Sequence, residues 1–150
     1  MRLIDETLAR ITPRNTEYRA LAAAHIHQLT MPRRALGRLL DLAEDLAGMR
    51  EQTAPSVARK NIIVMAGDHG IVEEGVSDQP QEVTAQMVRN FAAGGGGICV
   101  LADNAGARVT LVDIGVKCSD FSDLPTVVKR KIAPGTENFA RGPAMTREQA

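Results

Sequence analysis

The sequence predicts an α/β fold in which a helical N-terminal part is followed by a parallel sheet. Three observations carry that prediction. Apolar residues recur at helical spacing through the first fifty residues. Beyond a polar linker, two apolar runs, Lys60–Ala66 and Arg108–Ile114, each empty into a turn holding an acid and a glycine. Between these runs lies a helical pattern, and a strand, a helical crossover and a second apolar strand make a parallel, right-handed unit.

Composition narrows the class. The chain of 150 residues is long enough for a domain with a real core. Aromatics are 3% and there is no Trp, so the core is expected to be aliphatic. Lys+Arg and Asp+Glu balance at 18 each, which leaves no basic face for a nucleic acid or a membrane. Arg33-Arg34 and Lys129-Arg130-Lys131 read more simply as solvated faces than as phosphate sites. Neither Cys99 nor Cys118 sits in a CxxC. Cys99 falls in an apolar helical pattern and is expected to be a small buried hydrophobe. No secretory segment follows Met1 and no apolar run approaches membrane-spanning length, so a reduced cytoplasmic setting is expected.

Taken in order, the helical part starts with a segment from about Leu3 to Ile11, broken at Thr12-Pro13. From about Asn15 to Leu29, Tyr18, Leu21, Ala22, His25 and Leu29 recur at helical spacing. His25 is expected at an interface and His27 in solvent, since two histidines two apart on a helix face different ways. A third helix, from about Ala35 to Met49, carries Leu36, Leu39, Leu40, Ala43 and Leu46 on one stripe. Gly37 marks either close packing or the start of that helix. Residues Arg50 to Arg59 are polar and read as a linker, and the chain divides into a helical part, 1–50, and an α/β part, 51–150.

The α/β part opens on the stretch Asn61–Gly75, around which the chain is organised. Ile62-Ile63-Val64-Met65 reads as a buried strand that ends in Gly67-Asp68-His69-Gly70. Ligands of open α/β sheets sit outside the carboxyl ends of the strands, so Asp68 and His69 stand where a substrate would be; capping of the next segment explains the same two residues. Residues 67–79 form a loop with three glycines and four acids, Asp68, Glu73, Glu74 and Asp78. Pro80 is suited to the first position of a helix from about Gln81 to Ala92, with Val83, Met87, Val88 and Phe91 as its buried stripe. After the glycine run Gly94–Gly97, residues Ile98–Asn104 read as a helix capped by Gly106. Arg108–Ile114 is a β-branched strand, and Thr126-Val127-Val128 is a short third one. Residues 136–142 look irregular, and Thr146 reads as a helix N-cap. Two or three parallel strands are too few for a self-sufficient sheet, so the sequence is expected to be the N-terminal part of a longer protein.

Four chemistries compete for this framework. The loop GDHGIVEEG is not G-x-G-x-x-G, and its acids would repel a dinucleotide pyrophosphate. A metal-dependent phosphohydrolase would use Asp68 and His69 with Glu73, Glu74 or Asp113, although adjacent residues of a strand rarely reach one ion. Gly94–Gly97 would suit an anion, but close packing or a tight turn explains the run as well. Finally, Ser77, Gln79, Gln81, Thr84 and Gln86 offer amide and hydroxyl partners, and Met87 and Phe91 apolar contact, for a neutral, flat, nitrogen-bearing ring. An exposed helix face explains the same residues.

Longer motifs go further. VMAGDHGIVEEGVS, PQEVTAQMVRNF and VLADNAGARVTLVDIGV, in this order and spacing, together with ALGRL near Ala35 and the late APGTENFARGPAMTREQA, resemble the nicotinate-nucleotide–dimethylbenzimidazole phosphoribosyltransferase family. The similarity runs from about Leu21 to Ala150. It implies a Rossmann-like parallel sheet, a smaller helical domain built from the chain ends, and a homodimer. The implied reaction transfers phosphoribose from nicotinate mononucleotide to a benzimidazole-type base, giving an α-riboside phosphate and nicotinate with no metal or redox cofactor. Carried onto this chain, the resemblance gives a base pocket lined by the loop from Asp68 and His69 to Gln79 and by the helix from Pro80. Ser77, Gln79, Pro80, Thr84, Gln86 and Met87 are its expected substrate-binding residues, with positions 79 and 87 closest to the base.

The chain departs from the family pattern in two places. Many members read S-A-Y-P where this chain reads Ser77-Asp78-Gln79-Pro80, and P-P-G-S-L-G-R-L-E becomes Pro32-Arg33-Arg34-Ala35-Leu36-Gly37-Arg38-Leu39-Leu40. The family's general base, a glutamate, and its glycine-rich phosphate segment both fall beyond Ala150. No catalytic residue is therefore assigned within these residues. In the implied mechanism the glutamate takes a proton from one ring nitrogen while the other attacks the anomeric carbon.

Overall fold

The computed structural model of the chain describes residues 2–117 and 120–150, Arg2 by its backbone only. Cys118 lies outside the described residues. The chain forms two compact units, Met1–Ala58 and Arg59–Ala150.

The first unit holds α1 (Arg2–Leu8), α2 (Thr16–His27) and α3 (Arg38–Arg50). Asn15 caps α2, its Oδ1 accepting from the amides of Glu17 at 3.0 Å and Tyr18 at 3.3 Å. That pairs two of the amides a helix start leaves without intrahelical partners. Gly37 is the N-cap of α3 at φ +52°, so of its two readings the helix start is the one realised. Left-handed backbone there suits a residue without Cβ.

Both predicted stripes are rotated. On α2 the buried residue is Ala22, with Tyr18, Arg19 and Ile26 half-buried, whereas Leu21, His25 and Leu29 are exposed. The interfacial place expected for His25 belongs to Ile26. On α3 the buried face is Leu40, Ala47 and Gly48, Leu39 and Leu46 are exposed, and Leu36, also exposed, precedes the helix. The cause is the kind of contact between the two helices. Small residues let them approach closely: a Cβ on Gly48 would lie 2.7 Å from Arg19 Cγ and 2.9 Å from the Asn15 carbonyl oxygen. Charges flank this contact. Arg14 pairs with Asp45, and Arg19 Nε lies 3.0 Å from Asp45 Oδ1, close enough for an ion pair but not aligned as a hydrogen bond. Leu39, Leu42 and Leu46 line an apolar groove of about 360 Å³ with Pro55 and Val57.

The second unit runs β1 (Lys60–Gly67), a 3₁₀ turn (Gly70–Glu74), α4 (Glu82–Ala92), α5 (Gly96–Asn104), β2 (Ala107–Gly115) and β3 (Val127–Lys129). The three strands form one sheet in the order β1-β2-β3, and both pairings are parallel. The α/β parallel class expected from the sequence is thus the class observed. Residues pair from Lys60 with Ala107 to Ala66 with Asp113; the register then shifts so that Gly67 faces Gly115. Pro80 comes before α4 rather than at its first position, with its carbonyl accepting from Val83 at 3.1 Å. Gly106 follows α5 at φ +61°, as a C-terminal cap requires. Thr146 and Gln149 cap a single turn reciprocally, with the Thr146 amide donating to Gln149 Oε1 at 2.8 Å and the Gln149 amide to Thr146 Oγ1 at 3.3 Å.

The core lies on one face of the sheet. Val88 of α4 packs there with Leu111, Val116, Phe121 and Val127, and Val64, Ala66, Ala85 and Phe91 lie against them. Arg89 ties α4 to the segment after β2, pairing with Asp123 and lying 5.6 Å from the Phe121 ring centroid. Its guanidinium, by that hydrogen bond, holds the Asp123 carboxyl below the ordinary carboxylate range. On the other face Ile63 and Met65 are 58% and 64% exposed, so β1 is covered on one side only and not, as expected, on both. Cys99 is half-buried, and its thiol donates to the Phe91 carbonyl at 3.4 Å. Lys131 departs from the solvated reading of its basic run, since its Nζ lies 3.4 Å from the buried Asp113 carboxylate. Among the described residues no helix is long and apolar enough to cross a membrane.

Gly48→Ala is expected to destabilise the protein by about 1–3 kcal/mol, the cost of forcing atoms into a filled contact. Gly97→Ala, in a helix with nothing within 4 Å of the new methyl, is expected to be neutral or slightly stabilising. Denaturation midpoints of the two variants against the parent check the contrast.

Candidate functional site

The carboxyl ends of β1 and β2 meet where the register shifts. Bulges of this kind bend a strand and re-aim the residues beyond it. Directly after β1 comes Asp68, buried at 4% exposure. Its amide, its carbonyl and one carboxylate oxygen are engaged. The Asp68 amide donates to the Gly115 carbonyl at 3.0 Å, and its carbonyl accepts from the Thr136 amide at 3.0 Å. The carboxylate Oδ2 accepts from the Lys117 amide at 2.7 Å. Asp113, 1% exposed, does the same for β2, its Oδ1 accepting from the amides of Gly115 at 3.1 Å and Val116 at 2.9 Å.

These bonds occupy the carboxylates on which a metal reading would draw. Asp68 and Asp113 spend their carboxylates on backbone amides, and Glu73 and Glu74 pair with Arg141 at 3.1 and 3.0 Å. Among the described residues no three His, Cys, Asp or Glu side chains come together as a metal site would need.

His69 continues the strand direction in a parallel bridge with Thr136. The Gly70 amide then donates to the Thr136 carbonyl at 3.0 Å. A Cβ on Gly70 would lie 2.6 Å from the Asn138 amide nitrogen, so this close approach of two backbones excludes any side chain. The 3₁₀ turn beyond it is pinned from the far loop, with Asn138 Nδ2 donating to Glu74 Oε1 at 2.7 Å. The sequence pointed to an irregular segment at 136–142 but gave no sign of this contact, which joins residues 64 positions apart.

Against the turn lies a cleft of about 420 Å³, within the range of roughly 300–1,000 Å³ that small-molecule sites occupy. Asp68 and His69 form its end at the strand, Ser77, Gln79 and Pro80 its rim, and Thr84 and Met87 its α4 wall. Of the predicted set, Gln86 does not line it. Gln86 is exposed on α4, and residues two apart on a helix point to different faces, so Thr84 and Gln86 cannot both look inward. The apolar lining comes from Ile71, Val72, Val76, Val83, Val88 and Phe91. Ile71, Val72 and Val76 were visible in the sequence but sat in a loop marked by its acids.

Polar groups at the rim are held in place. The Ser77 hydroxyl accepts from the Gln79 amide at 3.2 Å and donates to the Gln79 carbonyl at 3.2 Å, so Ser77 shapes the turn that presents Gln79. Gln81 Nε2 donates to the His69 carbonyl at 3.1 Å, and its Oε1 lies 3.4 Å from Lys117 Nζ. On its other side the Asp68-His69 turn walls a smaller cavity of about 120 Å³, with Ile114, Ile132 and Met145. The arrangement offers apolar contact to a flat ring and a few fixed amide and hydroxyl groups at its edge. No cationic side chain lines the main cleft among the described residues.

Residues 11–150 match the profile of a phosphoribosyltransferase family. The curated nicotinate-nucleotide–dimethylbenzimidazole phosphoribosyltransferase of Syntrophotalea carbinolica is 55% identical over 152 residues, spanning 100% of this chain and 43% of that protein. The enzyme of the same name from Geobacter sulfurreducens is 49% identical over 150 residues, 100% of this chain and 42% of its own length. Among solved structures, the nicotinate-nucleotide–dimethylbenzimidazole phosphoribosyltransferase of Thermus thermophilus superposes with a TM-score of 0.83 at 46% identity, covering 90% of this chain and 41% of that one. The chain thus spans under half the length of the relatives it matches.

Asp68→Ala leaves the Lys117 amide without its acceptor and is expected to destabilise by about 1–3 kcal/mol, with faster hydrogen exchange at that amide. Asp68→Asn keeps an acceptor oxygen and is expected to lose less. Equal losses in the two variants would contradict the bracing role.

Proposed function

This chain belongs to that phosphoribosyltransferase family, and from this premise we propose that it forms the base-binding part of an enzyme that transfers phosphoribose from nicotinate mononucleotide to 5,6-dimethylbenzimidazole or a related base. The products are α-ribazole 5′-phosphate and nicotinate, and the reaction serves assembly of the nucleotide loop of cobamides. The observation that carries the reading is the cleft at the end of β1, apolar along its walls and edged by Ser77, Gln79 and Thr84. A neutral benzimidazole is flat, largely apolar and has two ring nitrogens, so it buries well against Met87 and Phe91 and turns its nitrogens to the polar rim. A cleft with no cationic side chain among the described residues suits this acceptor better than an anionic nucleotide.

Within this reading Asp68 braces the turn, and Asp68, His69, Ser77, Gln79, Pro80, Thr84 and Met87 bind or shape the base. Their contribution is positioning, which converts an encounter into an aligned attack. The proton leaves the base for a glutamate outside residues 1–150, and the nicotinate leaving group is likewise handled there. No metal or redox cofactor takes part. The complete enzyme works as a homodimer in the cytoplasm. The second reading, a base-binding subunit without catalysis, draws on the same cleft, and turnover separates the two.

Nicotinate release from nicotinate mononucleotide, with and without 5,6-dimethylbenzimidazole, is the direct test. The complete protein is expected to release nicotinate only with base, and residues 1–150 alone to show no turnover. A complete protein that binds base but releases no nicotinate would favour the subunit reading. Gln79→Tyr, which puts an aromatic ring at the cleft rim, is expected to shift relative kcat/KM among benzimidazoles by roughly tenfold. An unchanged ranking across a panel of bases would remove Gln79 from the site.

A further inference from the structure

The glycine run Gly94–Gly97 has no task in the base-binding reading, and its packing supplies one. It leads from the end of α4 into the first turn of α5, with Gly94 at φ +84° and Gly96, the first residue of α5, at φ +77°. The two glycines share a left-handed backbone but differ in surroundings. A Cβ on Gly94 would meet nothing within 4 Å, whereas one on Gly96 would lie 2.6 Å from Cε1 and 2.9 Å from Cδ1 of Phe91. The Phe91 ring is therefore seated directly on the Gly96 backbone, in space that any side chain at 96 would take.

Phe91 also lines the cleft and backs onto the core that holds Val116 and Phe121. Both of those residues are at 0% exposure. A close-packed interior does not yield by the several tenths of an ångström that a methyl at 96 demands. The direction left open to a displaced ring is the cleft.

We propose that Gly96 sets how far the Phe91 ring reaches into the cleft, and through it the size of base the cleft admits. This rests on the base-binding reading above and adds a positioning residue to it. Gly96 touches no base and acts through the ring. With no side chain at 96 the ring lies back and leaves room for a base bearing extra methyl groups. A Cβ at 96 pushes the ring forward and favours the smaller, unsubstituted base. Steric differences of one methyl or methylene in an apolar pocket discriminate by roughly 10–200-fold, which sets the scale of the effect.

The test is equilibrium dialysis of the complete protein with benzimidazole and with 5,6-dimethylbenzimidazole. Gly96→Ala is expected to weaken the dimethyl base roughly tenfold or more relative to benzimidazole. Gly94→Ala carries the same backbone strain without the ring contact and is expected to leave the ratio unchanged. Gly96→Ala combined with Phe91→Leu removes the ring that the methyl meets and is expected to regain the dimethyl base. Equal ratios for the two glycine variants, or a double variant as impaired as the single one, would put the effect in the backbone and overturn the proposal. Phe91→Leu alone keeps the test valid where Gly96→Ala does not fold. It is expected to favour the dimethyl base, and an unchanged ratio again overturns the proposal. Parent protein that binds neither base would overturn the base-cleft reading itself, together with this proposal, whereas failure of the variants alone leaves that reading intact.

Discussion

Asp68 is the point on which the second unit depends. Its amide, its carbonyl and its carboxylate reach two other segments, the end of β2 at Gly115 and Lys117 and the later loop at Thr136. A buried carboxylate is costly unless its charge is met by donors, and here the donor is a backbone amide at 2.7 Å. The same side chain therefore serves burial and assembly together. Release of Asp68 would free the end of β1, the segment after β2 and the loop from Ala133 to Asn138 at once. The wall of the cleft is made from the first of these and supported by the other two.

This arrangement explains why an acid and a histidine at a strand end need not be catalytic. A carboxylate that accepts from the backbone has little left to offer a substrate, and Asp113 repeats the solution at the end of β2 with two amides. Other polar groups that line the cleft lie further along, on the rim at Gln79 and on the inner face of α4 at Thr84. Rigid backbone behind a polar rim is what accurate positioning needs. Glycine supports it at the points of closest approach: Gly70 against Asn138, and Gly96 beneath Phe91.

The two helical stripes of the first unit show where sequence periodicity falls short. Leucine dominates the pattern of α3, yet its buried face is Leu40, Ala47 and Gly48. Periodicity weights residues by hydrophobicity, while two helices in contact also select for smallness and for charge partners such as Arg19 and Asp45. The stripe on α4 came closer, with Val88 buried, Val83 and Phe91 half-buried and Met87 alone of the four exposed, because that helix packs on a sheet whose apolar face accepts large side chains. Gln86 was misplaced for a geometric reason, since polarity marks a residue as a candidate partner but only its angle around the helix decides what it faces.

What the sequence by itself determined is local. Strands came from β-branched runs, the end of α5 from Gly106, and the parallel class from the order of strand, helix and strand. Motif spacing added the family. These signals lie in neighbouring residues, where backbone propensity and turn chemistry act without help. The tertiary structure decided everything that depends on residues far apart: the bridge from His69 to Thr136, the tie from Glu74 to Asn138, the seat of Phe91 on Gly96, and which face of each helix is covered. Such contacts arise when the chain closes on itself, and a linear pattern holds no record of which distant segment will arrive.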